Sequence, residues 1–174
     1  MIALVGAGPM AEAHARALVA LGEEVVVSSR THARAEALAA RTGARASREP
    51  PGAESAIVAV GVESLAEVTA ALVDRGCRRI LVEKPGALTS TALAALARHA
   101  AAAGAEIRVA YNRRFYAAVE AARAAIAEDG GLLAVAFDFS EPEDYVLAHA
   151  REKGYAPEVL ARWGVANSSH VLDL

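Results

Sequence analysis

Short apolar runs alternate with longer amphipathic segments over the first 110 residues of the chain. The apolar runs predict strands that are buried on both faces, at residues 2–5, 25–27, 56–60, 79–82 and 107–110. The segments between them predict helices at residues 9–21, 31–42, 63–75 and 89–103. Gly43 is the expected end of the second helix. This alternation predicts the α/β class, with a doubly wound parallel sheet of the Rossmann type.

The pattern changes near residue 110, and we therefore predict a domain boundary there. All of the aromatic residues lie between Tyr111 and Trp163. Beyond the boundary we predict a helix over 114–128 and a strand over 132–139 that has Val135, Phe137 and Phe139 on one side. Residues 140–158 are expected to be irregular, and residues 171–174 to open a helix. The predicted domains are thus 1–110 and 111–174, the second being the start of another α/β domain.

A glycine-rich loop follows the first predicted strand and opens the first predicted helix: Gly6-Ala7-Gly8-Pro9-Met10-Ala11. Gly6 permits a tight turn, Gly8 lets the backbone approach a pyrophosphate, and the small Ala11 lets helix and strand pack closely. The helix N-terminus supplies N–H groups and partial positive charge for phosphates. The loop predicts a dinucleotide site that includes Pro9 and Met10. An S-adenosylmethionine site, a flavin site and a vestigial loop are the alternatives.

The residues after the second strand bear on the choice of cofactor. An acid there would bind the adenosine 2′-hydroxyl and repel a 2′-phosphate. This chain instead has Ser29, Arg30 and Thr31, which can donate hydrogen bonds or pair with a phosphate. We therefore predict NADP rather than NAD, the alternative being that Arg30 stacks on adenine.

Lys84 is unusual in a chain whose eighteen basic residues include only two lysines. It follows a buried-type strand, at the edge of the sheet where doubly wound folds place ligands. An ammonium group there can donate to a substrate oxygen and exchange a proton, which arginine cannot do. The alternative is a surface salt bridge, which is the interpretation we give to Lys153.

Four motifs together resemble the glucose–fructose oxidoreductase/inositol dehydrogenase family (Gfo/Idh/MocA). They are the glycine loop, Glu83-Lys84-Pro85, Tyr111-Asn112-Arg113-Arg114-Phe115 and Asn167-Ser168-Ser169-His170-Val171-Leu172-Asp173. The resemblance covers essentially the whole chain, in the family's order. It implies NAD- or NADP-dependent oxidation or reduction of hydroxyl and carbonyl groups on sugars, cyclitols and sugar nucleotides. It also implies a Rossmann domain followed by an α/β domain whose open sheet often forms the oligomer interface.

The resemblance assigns roles to individual residues. Lys84 becomes the catalytic and substrate-orienting lysine, with Glu83 and Pro85 shaping the nicotinamide pocket and a cis Lys84–Pro85 peptide expected. His170 matches the family histidine that serves as acid/base or substrate ligand. Four residues before His170 the family commonly has Asp, where this chain has Ala166. Asp173 is expected to orient its helix or to pair with an arginine.

The remaining assignments complete the candidate site. Cofactor contacts are also predicted for Val60, Gly61, Lys84 and Arg113, and substrate contacts for Tyr111, Asn112 and Asn167. Arg114 is expected to reach an anion or to form a salt bridge between domains, whereas His14 is expected to be structural. The other histidines lack the spacing of metal ligands, and we predict no metal site.

Family members are usually much longer than this chain, so the resemblance implies an incomplete second domain. A fragment, a shortened member and a non-catalytic dinucleotide-binding or regulatory module are the alternatives. A bare strand at 132–139 would expose an edge and an apolar face, which predicts a homo-oligomer formed through the C-terminal sheet.

Composition excludes several other classes of protein. A net charge of -3 argues against a nucleic-acid-binding protein. A single cysteine, Cys77, allows no internal disulfide and suggests a reducing, cytoplasmic location. No apolar run approaches the roughly 20 residues that cross a bilayer, so no membrane partner is expected.

Overall fold

A computed structural model describes residues 1–136 and 138–173, and the chain divides into two compact units, Met1–Ala110 and Tyr111–Leu174. The first unit is built on a parallel sheet of six strands in the order β3-β2-β1-β4-β5-β6. The strands are β1 Ile2–Val5, β2 Val25–Ser28, β3 Arg45–Ser47, β4 Ser55–Val58, β5 Arg79–Val82 and β6 Glu106–Val109. The predicted Rossmann α/β fold is confirmed, because this strand order is the one that defines that fold.

Helices connect successive strands except β3 and β4, which a loop joins, and the apolar periodicity predicts these helices. They are α1 Pro9–Ala20, α2 His32–Thr42, α3 Leu65–Asp74 and α4 Ser90–Ala102. Gly43 ends α2 in the left-handed conformation, as expected of a C-cap glycine. Thr89 begins α4, since its hydroxyl accepts a hydrogen bond of 3.1 Å from the Ala92 N–H. Within the described residues, no helix is long and apolar enough to cross a membrane.

The prediction from sequence missed strand β3 and extended strand β4 beyond its observed end. Arg45–Ser47 lies at the edge of the sheet and is partly exposed, so it lacks the apolar run of a buried strand. Ala59 and Val60 were included in the predicted strand because they are apolar. They lie beyond the end of β4.

Two apolar clusters, one on each face of the sheet, form the core. On one face Leu4 and Val27 pack with Ala11, Ala15 and Leu38 of the covering helices. On the other face the strands pack against α3, through Val5, Ala56, Val58, Leu65, Leu72, Val73, Ile80 and Val82. Ala11, Ala15 and Ala35 have no exposed surface, so the helices lie close against the strands.

The described part of the second unit is helical and differs from the prediction. Its helices are α5 Ala117–Glu128, α6 Glu143–Lys153, α7 Pro157–Leu160, α8 Trp163–Ala166 and α9 Ser169–Leu172. A 3-10 turn at Asn112–Phe115 precedes α5, which therefore begins later than predicted. Helix α6 occupies a segment expected to be irregular, because Pro142, Glu143 and Asp144 make a helix start that the polar composition concealed.

The predicted strand over 132–139 is wrong for residues 132–136 and 138–139, which have no regular secondary structure; Phe137 lies outside the described residues. A strand needs a neighbour for its backbone hydrogen bonds, and the described residues of this unit supply none. The strand that supports the predicted homo-oligomer is therefore absent from the described residues. Self-association through a C-terminal sheet stays a prediction.

Cys77 provides a test of packing in the first unit. Its side chain is 3% exposed and its thiol donates to the Glu54 carbonyl at 3.3 Å, while burial raises the pKa of the thiol. We expect Cys77 to react with an aromatic disulfide reagent only as fast as the domain unfolds. The measurement is the reaction rate against denaturant concentration, and rapid reaction in native buffer would contradict this packing.

Candidate functional site

Three neighbouring strands end in register at the carboxyl edge of the sheet. Val5 of β1 pairs with Val58 of β4, which in turn pairs with Val82 of β5. The ladder continues one residue further, because the Ala59 N–H donates to Val5 at 2.8 Å and the Glu83 N–H donates to Val58 at 2.9 Å. The loops after β1, β4 and β5 therefore leave the sheet side by side. The strand order reverses between β1 and β4, which is where such folds open a crevice for ligands.

Gly6 occupies a position that accepts no side chain. Its φ is +125°, and a Cβ atom there would lie 2.1 Å from the carbonyl oxygen of Ala59. Its N–H donates to the Ser28 carbonyl at 2.9 Å, which ties the loop to the end of β2 as well. The turn can therefore form this close to β4 only with glycine.

Helix α1 begins in open space beyond this turn. Gly8 is its N-cap, with an extended backbone and no atom within 4 Å of where a Cβ would lie. No side chain caps the helix, and Pro9 has no N–H. Met10 and Ala11 are therefore the first residues of the helix with an N–H to donate. A helix N-terminus with unused donors and room in front of it favours a phosphate group.

The end of β2 supplies polar groups and no acid. The Ser28 side chain is 1% exposed, and its hydroxyl has no hydrogen-bond partner in the described structure. Ser29 is half-buried, whereas Arg30 and Thr31 are exposed. The Gly6 turn, the start of α1 and the buried Ser28 hydroxyl together fit a dinucleotide. Val60 and Gly61, where the chain leaves β4, lie at the same edge of the sheet.

The Glu83-Lys84-Pro85 segment forms a turn directly after β5. The Lys84–Pro85 peptide is cis, as expected, and the Gly86 N–H donates to the Glu83 carbonyl at 3.0 Å. Pro85 and Gly86 are buried while Lys84 is half-buried. The turn therefore holds the lysine at the carboxyl edge with part of its side chain accessible.

Glu83 also makes a contact that the sequence interpretation missed. The Nε2 atom of His14 lies 2.7 Å from the Oε1 atom of Glu83, and the two side chains are 21% and 12% exposed. His14 lies on the stripe of α1 that includes Ala11, Ala15 and Leu18, at the spacing of one helix face. A polar residue on such a stripe needs a partner, so the sequence could have indicated that His14 makes a contact, although not with which residue.

In the second unit the structure forms two side-chain pairs among residues of the predicted site region. The rings of Tyr111 and His170 meet edge to face, with centroids 5.9 Å apart. Arg114 donates through Nε to Asp173 at 2.5 Å, and its Nη2 atom donates to the second carboxylate oxygen. The carboxylate raises the pKa of Arg114. Asp173 therefore pairs with an arginine, as expected, and fixes α9 against the turn that carries Tyr111.

Asn167 donates a hydrogen bond to a carboxylate that the sequence analysis did not identify. Glu141 accepts hydrogen bonds from Trp163 Nε1 at 2.9 Å, Asn167 Nδ2 at 2.9 Å and Ser168 Oγ at 3.2 Å. Glu141 lies in a polar segment more than twenty residues before its partners, so no local spacing connects them. These hydrogen bonds order the segment that leads to His170.

The other predicted residues of this unit lie in the 3-10 turn. Asn112 is exposed and Arg113 is half-buried. Over residues 1–136 and 138–173, no group of three or more His, Cys, Asp or Glu side chains could hold a metal ion.

Comparison with known proteins supports the dinucleotide interpretation. Residues 1–83 match a family model described as NADP oxidoreductase, coenzyme F420-dependent. No curated protein matches the chain significantly in sequence.

Solved structures resemble the chain over about three quarters of its length. GenD2 of gentamicin A biosynthesis, in complex with NAD, is 26% identical with a TM-score of 0.68, over 77% of this chain and 40% of that chain. The WlbA dehydrogenase from Chromobacterium violaceum, in complex with NADH and UDP-GlcNAcA, is 23% identical with a TM-score of 0.67, over 74% and 39%. A protein from Sinorhizobium meliloti described as a myo-inositol dehydrogenase is 24% identical with a TM-score of 0.64, over 74% and 41%.

These matches establish the Rossmann fold and support an oxidoreductase with a nicotinamide cofactor. The chain spans about two fifths of the length of each of these structures. Substrate and cofactor preference are therefore matters for proposal.

Glu12, in the first turn of α1, forms ion pairs whose contribution to stability can be tested. Its carboxylate accepts hydrogen bonds from Arg41 at 2.8 Å and from Arg16 at 2.7 Å, and these lower its pKa to about 2. Because the folded pKa lies below the ordinary glutamate value of 4.5, the stabilisation is complete above about pH 4.5 and is lost as the pH falls toward 2. We expect Glu12→Gln to lower the melting temperature at pH 7 by a few degrees and to have less effect at pH 3.

The measurement is thermal unfolding at both pH values. Glu67→Gln is the control, since Glu67 is an exposed acid in the first turn of α3. An equal effect of Glu12→Gln at both pH values would contradict the assignment.

Proposed function

We propose that this chain contains the cofactor-binding domain of a nicotinamide-dependent oxidoreductase of the glucose–fructose oxidoreductase/inositol dehydrogenase family. Its substrate would be a hydroxyl or carbonyl carbon of a sugar, cyclitol or sugar nucleotide. The observation that carries the proposal is the Glu83-Lys84-Pro85 turn directly after β5, two strands away from the Gly6 loop at the same edge of one sheet. The order of the four motifs along the chain supports the same family.

Lys84 has the main chemical role in this proposal. The bound nicotinamide supplies or accepts a hydride. The ammonium group of Lys84 donates a hydrogen bond to the substrate oxygen, which orients the substrate and offsets negative charge that develops there. When a carbonyl is reduced, this oxygen needs a proton, and the lysine is a group that can provide it.

The second unit supplies the other proposed groups. His170 is proposed as a second acid/base or substrate ligand, and Tyr111, Asn112 and Asn167 as substrate contacts. The Tyr111 ring against His170 and the Arg114–Asp173 pair support a fixed orientation of that histidine.

We propose that Gly6, Gly8, Pro9, Met10 and Ala11 receive the pyrophosphate, and that Ser29, Arg30 and Thr31 receive the adenosine end. Val60, Gly61, Glu83, Pro85 and Arg113 are proposed to line the nicotinamide side. Pro9 can contribute only shape to this site, because it has no N–H.

Replacement of Lys84 tests the catalytic proposal. We expect Lys84→Ala to lower turnover of keto-sugars by at least a hundredfold, because positioned acid–base catalysis contributes roughly 10²–10⁴-fold. Binding of the reduced cofactor should change by less than about threefold, since the phosphates are held at α1. Turnover is followed by the loss of nicotinamide absorbance, and binding by calorimetry.

Lys153→Ala is the matched control. Lys153 is the other lysine of the chain, it is half-exposed, and it pairs with Glu152 at 3.0 Å. Full turnover in Lys84→Ala would contradict the catalytic role. Cofactor binding by the wild-type chain without turnover of any keto-sugar would instead favour a non-catalytic dinucleotide-binding module.

We further propose that the cofactor is NADP, since no acid follows β2 and Arg30 is exposed there. We expect Arg30→Ala to raise the Kd for NADPH about tenfold or more, because a charge-assisted hydrogen bond contributes about 1.5–3 kcal/mol. The Kd for NADH should change by less than about threefold, as NADH has no 2′-phosphate. Calorimetry with both cofactors makes the comparison, and Arg98→Ala, an exposed arginine of α4, is the control. Tighter wild-type binding of NADH than of NADPH would contradict this proposal.

A further inference from the structure

His14 and Glu83 connect two parts of the first unit that the proposed function uses separately. His14 lies on α1, one turn after the phosphate-binding loop, and Glu83 is the residue before Lys84. Their side chains meet at 2.7 Å although they are 69 residues apart in the chain.

The backbone on both sides of this contact is held in place. Ala11 and Ala15, which flank His14 on α1, have no exposed surface. The Glu83 N–H donates to β4 at 2.9 Å and the Glu83 carbonyl accepts the Gly86 N–H at 3.0 Å. The contact of the Glu83 carboxylate with His14 adds a third attachment, which ties the turn to α1 as well as to β4.

The chemistry of the two side chains indicates which of them donates the hydrogen bond. An ionised carboxylate can only accept hydrogen bonds, so the Nε2 atom of His14 carries the hydrogen and donates it. The Glu83 side chain is only 12% exposed, and a carboxylate with so little access to water needs a hydrogen-bond donor. Loss of the histidine donor would drive the carboxylate to rotate toward water or to another partner.

We infer that His14 is a positioning residue for the Lys84 turn. By holding the Glu83 carboxylate against α1, it fixes the direction in which the chain enters Lys84 and the cis Pro85. Turnover by Lys84 then depends on a side chain of the phosphate-binding helix that touches neither substrate nor reacting atoms. The effect on catalysis rests on the proposed function, whereas the effect on the turn does not.

A pair of variants separates the hydrogen bond from the volume of the side chain. Glutamine places an amide donor near the position of Nε2, whereas methionine has nearly the same length and no donor. We expect His14→Met to accelerate hydrogen exchange of the Gly86 amide at least tenfold in the cofactor-free protein, with exchange inside β1 unchanged. His14→Gln should keep exchange within about threefold of wild type.

The same variants should separate kcat from cofactor binding. We expect His14→Met to lower kcat at least tenfold while the Kd for NADPH changes less than threefold, and His14→Gln to recover most of kcat. His99→Ala is the matched control, because His99 and Asp74 form a histidine–carboxylate pair of 2.8 Å between α4 and α3. It should alter neither exchange at Gly86 nor kcat.

The outcomes are distinguishable from failure of the proposed function. Unchanged hydrogen exchange of the Gly86 amide in His14→Met would overturn the inference. An equal loss of kcat in His14→Gln and His14→Met would overturn it as well. Faster exchange in a protein that never turns over would confirm the positioning of the turn and would favour a non-catalytic dinucleotide-binding module over the oxidoreductase. Should His14→Met fail to fold, Glu83→Met removes the acceptor instead and is expected to give the same exchange pattern.

Discussion

A methyl group at position 6 would lie 2.1 Å from the carbonyl oxygen of Ala59, and the arrangement of the candidate site depends on this close approach. It lets the β1 loop turn directly over the end of β4, at the point where the strand order reverses. Helix α1 then starts in open space at the carboxyl edge of the sheet, with unused N–H groups facing outward. Any residue with a Cβ would push the loop away from β4 and displace the helix that it opens.

The parallel register also places the end of β5 next to the ends of β1 and β4. Because Val5, Val58 and Val82 lie side by side, the residues that follow them leave the sheet together. Lys84 is therefore brought to the edge that carries the glycine loop, although it is far from that loop in sequence. The buried alanines of α1 keep the helix close enough to the sheet for His14 to reach the residue before the lysine.

Polar contacts join distant parts of the second unit. Glu141 accepts three side-chain hydrogen bonds, and the Arg114–Asp173 pair joins residues at opposite ends of the unit. Among the described residues of this unit few apolar side chains are buried, such as Ala150 and Val159, whereas Leu133 and Phe115 are largely exposed. Directional contacts can order short helices around His170, but they provide little of the burial that stabilises a domain.

The sequence by itself determined the Rossmann unit, because its information is local. Buried strands are short apolar runs, the glycine loop has fixed spacing, and Lys84 follows one of these runs directly. Edge strand β3 was missed because a partly exposed strand leaves no such run. The strand expected at 132–139 was wrong over 132–136 and 138–139, because the described residues of that unit offer no neighbouring strand for it to pair with. Tertiary structure alone decided the contacts of His14 with Glu83 and of Glu141 with Asn167. Each joins side chains separated by many residues, and no short-range pattern specifies which buried donor meets which carboxylate.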